Sequence, residues 1–253
     1  MPLGDPPAKV PALGPDALNA PLTSFFRGLV PFRTLLDKAA YGLFFFGCIF
    51  YVLCESGVFR FGRQPSFSCD DPLIQKPKLP EIVPTLILIP FLLIVPSIFL
   101  ALLELRRNDD LAVDRPLSAG RVVRRYICGL VVAVIVVQAL KEGFLEKRPH
   151  FLDACRPVSP SNRTLICDAH NPNRDATVTS YVCTGKKSHR AVTSFPSGHA
   201  CTATYSCLFV ASHLVKRGDT MVKSMMVRLT LVLLWVALGT FVSISRVWDN
   251  MHY

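Results

Sequence analysis

A chain of 253 residues with a formal charge of +10, 51% of it hydrophobic, has the length of one or two ordinary domains but not their patterning. Its apolar residues are gathered into five long blocks nearly free of charge, which argues against the buried helices of a soluble protein. The positive charge flanks those blocks, so a nucleic-acid partner is not expected.

In chain order, residues 1–38 read as a flexible cytoplasmic tail, interrupted up to about Thr23 by Pro2, Pro6, Pro7, Pro11, Pro15 and Pro21. The tail has no signal-peptide hydrophobic region, so the first span itself must direct insertion. The blocks are Tyr41–Leu53, Ile82–Leu103, Tyr126–Leu140, Ala200–Val215 and Leu229–Val242. With its flanks, each reaches the ~20 residues needed to cross a hydrocarbon core. The predicted fold is therefore all-α: a polytopic membrane helix bundle, with residues 39–253 as the transmembrane domain. Pro84, Pro90 and Pro96 predict a kinked second span whose freed carbonyls are satisfied by neighbouring helices.

The segments between the blocks fix an orientation. Arg106, Arg107, Arg115, Arg121, Arg124 and Arg125 separate spans two and three, and Lys216, Arg217, Lys223 and Arg228 separate four and five. Short basic loops stay in the cytosol, which places them and the N-terminus inside. The long loop from Glu146 to Thr193 then lies outside, although it too is basic. It carries the glycosylation sequon at Asn162 together with Cys155, Cys167 and Cys183, while Cys54 and Cys69 belong to the first outer loop. An oxidising setting predicts one or more disulfides among these cysteines and leaves their pairing open. Cys48, Cys128, Cys201 and Cys207, inside spans, read as packing residues.

Three segments at one predicted membrane face carry chemistry. Lys141 and Arg148 are seven residues apart, about two helical turns, so both would project from one face before Pro149 ends the helix. Taken alone, two such cations are better accounted for by snorkelling or interfacial anchoring. Pro196-Ser197-Gly198-His199 opens the fourth span: Pro196 fits a first turn, Ser197 and Gly198 offer backbone N–H groups to an anion, and His199 can supply a proton. Arg246 and His252 are six residues apart, about 120° around a helix, so their joint use requires a turn, for which Asp249-Asn250 is suited. Cations plus two histidines suit phosphate binding, attack and leaving-group protonation. No accompanying cluster of carboxylates or cysteines has ligand spacing, so no metal and no other cofactor is expected.

At these residues the sequence resembles the type 2 phosphatidic acid phosphatase superfamily, and within it the lipid phosphate phosphatases. Lys141, six residues, then Arg148-Pro149 match its first motif. Pro196 to His199 match its Pro-Ser-Gly-His motif without a change, and Ser245, Arg246 and His252 match the third as far as its histidine. The final aspartate of that motif falls past Tyr253. Arg148-Pro149-His150-Phe151-Leu152-Asp153 and Cys183-Thr184-Gly185 agree as well, and the likeness runs from about Tyr41 to Tyr253.

The resemblance implies six membrane helices, of which five are present here, so that the domain is expected to be C-terminally incomplete. It implies hydrolysis, without magnesium, of the phosphate monoester of phosphatidic acid, lysophosphatidic acid, sphingosine 1-phosphate or ceramide 1-phosphate. His252 would be the nucleophile, forming a phosphohistidine, and His199 would protonate the leaving oxygen. Lys141, Arg148, Ser197, the Gly198 amide and Arg246 would hold the phosphate. The implied setting is a glycosylated multi-pass protein of lipid signalling among membrane lipids. Its active site would be exoplasmic at the plasma membrane, with an endomembrane as the alternative and a homo-oligomer left open. The competing reading is a non-catalytic phospholipid phosphatase-related signalling or scaffold protein. Such proteins lose motif residues, whereas every motif position present here is filled.

Overall fold

In the computed structural model, residues 22–26, 35–58, 64–107, 115–161, 163–168, 177–186 and 188–253 are described. Most of the expected tail and the sequon asparagine Asn162 lie outside them. Each apolar block forms one long helix: α1 (Leu35–Glu55), α2 (Thr85–Leu105), α3 (Arg115–Phe144), α4 (Gly198–Met221) and α5 (Met225–Trp248). Of these, α2, α3 and α5 are long and apolar enough to cross a membrane. Helix α4, which carries His199, His213, Lys216 and Arg217, packs against α2, α3 and α5.

The bundle has a largely apolar core and a largely apolar outer surface. Leu88, Leu92, Leu100, Tyr126, Leu130, Val210, Leu214, Trp235 and Val242 form its core. Yet Leu86 is 88% exposed, and Ile87, Ile94, Leu233 and Leu234 are also exposed on α2 and α5. Apolar exposure on this scale is stable where the surrounding medium is hydrocarbon, and helices satisfy their backbone groups there without water. The protein is an integral membrane protein.

Proline chemistry ties the core together. Pro90 and Pro96 sit inside α2 without ending it, and Pro84 caps it rather than lying within it. Pro96 has no N–H for the carbonyl of Leu92 four residues back. Buried Tyr126 of α3 donates its hydroxyl to that oxygen at 2.6 Å and meets Ser206 Oγ of α4 at 2.7 Å. The neighbouring-helix satisfaction expected from the sequence is thus present at Leu92. Between α4 and α5, an added Cβ at Gly239 would lie 2.6 Å from Cys207 Sγ, so only glycine permits this approach.

The α1–α2 and α3–α4 connections fold into a cap over one end of the bundle. Phe67, Ile74, Phe151, Tyr181 and Val192 make its separate small core. Disulfides Cys69–Cys167 and Cys155–Cys183 cross-link it, while Cys54 stays free and buried. A five-residue helix (Phe151–Cys155) and a two-stranded antiparallel sheet, β1 (Pro157–Val158) with β2 (Val182–Cys183), complete it. Its function in the architecture is to hold Arg148 and Ser194 against the helix ends below.

Candidate active site

The first motif reaches its place by a chain reversal. Helix α3 stops at Phe144, and Leu145 adopts a left-handed conformation (φ 48°) while its N–H bonds the Lys141 carbonyl at 3.0 Å, an αL cap. Burying the Leu145 side chain in the cap core holds it there. Arg148 therefore does not continue the helix, contrary to the two-turn spacing argument. Its backbone N–H bonds the Ala191 carbonyl at 2.9 Å, and its guanidinium donates to the Thr193 carbonyl and to Met251 Sδ, each at 3.5 Å.

The second motif begins α4 two residues later than it would with Pro196 at the first helical position. Ser197 is the N-cap, its hydroxyl accepting from Ala200 N at 3.4 Å, and Pro196 precedes the cap. The amides of Gly198 and His199 then occupy the first turn, where helical N–H groups have no intrahelical acceptor. A Cβ added at Gly198 would lie 3.5 Å from Lys141 Nζ, which brings the first and second motifs together. The His199 ring donates through Nε2 to the Val83 carbonyl at 3.1 Å.

The third motif turns where Asp249-Asn250 predicted. Asn250 is left-handed (φ 55°), Asn250 N bonds Val247 O at 3.2 Å and Met251 N bonds Arg246 O at 3.1 Å. This is a Schellman motif with asparagine in place of the usual glycine. It folds His252 back over the end of α5, where His252 N also bonds Arg246 O at 3.0 Å. Buried His252 donates from Nδ1 to the Ser194 carbonyl, which leaves the lone pair of the neutral ring on Nε2.

Lys141, Arg148, Gly198, His199, Arg246 and His252 all line one cavity of ≈ 650 Å³. Ser197 does not line it; its hydroxyl is used as the cap. Below the cations the walls become apolar, with Phe44 of α1, Leu88, Ile89 and Leu92 of α2, and Ile127, Val131 and Ile135 of α3. The charges are organised unequally. Arg246 pairs with buried Asp249 at 3.0 Å and with Glu81 at 3.7 Å, and Arg190 pairs with Glu55. Among the described residues, no carboxylate forms an ion pair with Lys141 or Arg148. The Nε atoms of Arg148 and Arg246 are buried with no acceptor among those residues, a donor capacity that suits an anion.

Burial pushes the His252 imidazolium down to about 2, reinforced by Arg148 and Lys141 and opposed by its bond to Ser194. A ring so placed is neutral at physiological pH, as a nitrogen nucleophile must be. Burial, and then the Arg246 guanidinium, bring Arg148 down to about 10, which leaves it charged.

The sequence motifs omit three contributors. Glu81 and the Val83 carbonyl lie in the loop before α2, and both face Arg246. His150 lines the cavity and bonds Asn250 O through Nδ1 at 2.7 Å, joining the first motif to the third. Its position directly after Arg148-Pro149 was the available signal. Glu81 and Val83 had none, because they act through tertiary proximity and, at Val83, through backbone alone.

Comparison with known proteins agrees with this architecture. The family pattern described as "PAP2 superfamily" matches residues 123–253, which include all three motifs. The chain is similar to "Phospholipid phosphatase homolog 1.2 homolog" of Caenorhabditis elegans, 30% identical over 132 residues, covering 49% of this chain and 35% of that protein. It is also similar to "Putative phosphatidate phosphatase" of Drosophila melanogaster, 27% identical over 133 residues, covering 51% of this chain and 34% of that protein. The matched stretch thus spans about a third of the length of these relatives. No solved structure matches. With the family pattern covering more than half of its length, and the cavity's cations and histidines falling within that match, the chain belongs to the PAP2 superfamily.

Proposed function

We propose that the protein is a lipid phosphate phosphatase acting through a covalent phosphohistidine. The observation that carries this reading is the single cavity with cations and two histidines at one end and apolar walls from three helices at the other. A phosphate would be held by Lys141, Arg148, Arg246 and the Gly198 amide, and the hydrocarbon part of the same molecule would lie along α1, α2 and α3. Nε2 of His252 attacks phosphorus while the bond to the lipid alcohol oxygen breaks, and His199, protonated at Nδ1 with its Nε2–H on Val83, gives that oxygen the Nδ1 proton. Water then attacks the phosphohistidine, with His199 accepting a proton from it, and His252 and inorganic phosphate are regenerated. Fixed cations stabilise the transition-state charge.

Metal independence is part of the proposal. The two carboxylates lining the cavity, Glu55 and Glu81, each face a guanidinium, an arrangement better suited to orienting arginines than to holding magnesium. The substrate class is the phosphate monoesters of glycerolipids and sphingolipids, as in phosphatidic acid, lysophosphatidic acid, sphingosine 1-phosphate and ceramide 1-phosphate. An exoplasmic site at the plasma membrane is supported by the two cap disulfides and by the basic segments at the other end of the bundle.

Phosphate release from short-chain phosphatidic acid, by membranes expressing the full-length protein, tests the proposal. Release should persist in EDTA and be inhibited by vanadate. Loss of activity on chelation with recovery in magnesium would sink the mechanism, and no release from any lipid phosphate would favour the non-catalytic reading.

A further inference from the structure

We propose a second lipid site at the opposite end of the bundle, one that binds the headgroup of an anionic phospholipid without hydrolysing it. A cavity of ≈ 510 Å³ opens between α3 and α4, lined by Arg125, Lys216, Arg217 and His213 together with Tyr205, Leu208 and Phe209. Its volume falls in the range of small-molecule sites, about 300–1,000 Å³. Arg125 precedes Lys141 by sixteen residues on α3, about 24 Å along a helix, so the two cavities lie near opposite faces of a hydrocarbon core ~30 Å thick.

The lining says what it takes. Three permanent cations face the space, and among the described residues no carboxylate lines it. Glu104, fully buried, stands behind the wall and organises it. It accepts from Arg107 and Ser118 at 2.9 Å, lies 3.1 Å from His213 Nε2 and 3.5 Å from Arg217 Nη1. Arg217 is thereby held at the cavity while its side chain remains half exposed. Beside the cations, Leu208 is exposed on the outer surface of α4, and Tyr205 and Phe209 continue the apolar wall. Cations at the mouth with aromatic and aliphatic groups alongside match a charged headgroup with acyl chains attached, rather than a free anion. The short basic segments at this end predict that it faces the cytosol, where anionic lipids are concentrated.

The test uses dioctanoyl phosphatidylserine, a phosphodiester that a monoesterase leaves intact. It is titrated into the detergent-purified full chain and followed by native mass spectrometry. A one-to-one complex is expected, with no comparable binding of dioctanoyl phosphatidylcholine. Arg125→Gln and Lys216→Gln should each weaken it about 5-fold, and adding Arg217→Gln should bring the loss to the order of 100-fold. Arg121→Gln removes a charge from the same helix outside the cavity and should change nothing; an equal loss there would reduce the effect to general attraction and overturn the site. Displacement by equimolar inorganic phosphate would overturn the lipid assignment. The Lys141→Ala/Arg148→Ala variant should keep the complex, and losing it there would mean that the lipid occupies the upper cavity. Because Arg217 also pairs with Glu104, Arg125→Gln and Lys216→Gln decide the matter if the triple variant fails to fold.

Discussion

Arg246 in the last turn of α5 and His199 in the first turn of α4 donate to the same acceptor, the carbonyl oxygen of Val83, at 3.4 and 3.1 Å. Two motif residues 47 positions apart are thus set against each other by a backbone atom in a loop that carries no motif. Asp249 and Glu81 also meet Arg246 at Nη1, so one end of the guanidinium is held by three protein oxygens while its buried Nε has no acceptor among the described residues. Under the proposed mechanism this is preorganisation, a charge oriented before the transition-state charge it would stabilise develops.

Asp249→Asn should be the more damaging change among the partners of Arg246. Asp249 is buried, lies 3.0 Å from Arg246 Nη1, and also accepts from Met251 N at 3.3 Å in the turn that presents His252. Leaving the buried arginine without this carboxylate should destabilise the fold by about 3–5 kcal/mol. Turnover should fall on the order of 10²-fold through misplaced charge. Glu81→Gln, at 3.7 Å and partly exposed, should show a smaller loss in both thermal unfolding and phosphate release. Equal effects of the two substitutions would mean that Asp249 does not position Arg246.

The two histidines should separate by leaving group. His252→Ala should abolish turnover of every substrate together with any acid-labile phosphoenzyme. His199→Ala should lose much less activity on p-nitrophenyl phosphate than on phosphatidic acid, since p-nitrophenolate departs without a proton. Acid-labile phosphate trapped on the His252→Ala protein would reverse the two roles.

How far the site was legible in the sequence depends on whether the contact is local. The turn between Arg246 and His252 could be read because Asp249-Asn250 is a chemical signal for a left-handed residue, and Asn250 takes that conformation. The convergence of Lys141 and Arg148 was anticipated by helical spacing, but it arises from Leu145 ending the helix and from the Arg148 N–H bond to Ala191. No periodicity argument contains a partner 43 residues away. The long helices were legible because hydrocarbon-facing blocks need little else than apolar length. The cap was not, since its order comes from a small mixed core and two disulfides whose pairing the spacing left open. Val83 and Glu81 were invisible for the same reason.

Gly198 should tolerate little. The added methyl of Gly198→Ala would stand 3.5 Å from Lys141 Nζ, an ordinary contact, but in the space a phosphate oxygen needs to reach the first-turn amides. Gly198→Ala should raise KM for short-chain phosphatidic acid with little change in thermal stability, and Gly198→Val should lower kcat as well by displacing the lysine. Unchanged kinetics with Gly198→Val would remove the amide from the binding site.

The depressed His252 has a signed pH consequence. Its folded-state value, about 2, lies below the ordinary 6.5, so between those limits the unfolded chain binds the proton and the folded protein does not. The stability contributed by the neutral ring is complete above about pH 6.5 and declines as pH falls through that window. His252→Gln should therefore flatten the fall in Tm between about pH 6.5 and 4. An unaltered slope in that variant would mean that His252 titrates normally in the folded protein.

The Pro96, Leu92 and Tyr126 relationship yields a prediction about the bundle itself. Pro96 deprives the Leu92 carbonyl of its helical N–H, and Tyr126 donates its hydroxyl to that oxygen at 2.6 Å from the adjacent helix. Tyr126→Phe keeps the ring and its packing against Tyr205 and Phe209 but leaves the carbonyl buried without that donor. A buried acceptor left without its donor typically costs about 1–3 kcal/mol. In a Pro96→Ala background the helix can supply its own N–H to Leu92, so the same Tyr126→Phe change should cost less. The remaining loss would reflect the 2.7 Å contact with Ser206, which the proline change does not touch. A double-mutant cycle on thermal unfolding in detergent measures the coupling directly, and adjacent, bonded positions commonly couple by about 0.5–3 kcal/mol. If the two changes add without coupling, the tyrosine does not compensate the proline, and its burial serves the aromatic cluster and Ser206 alone.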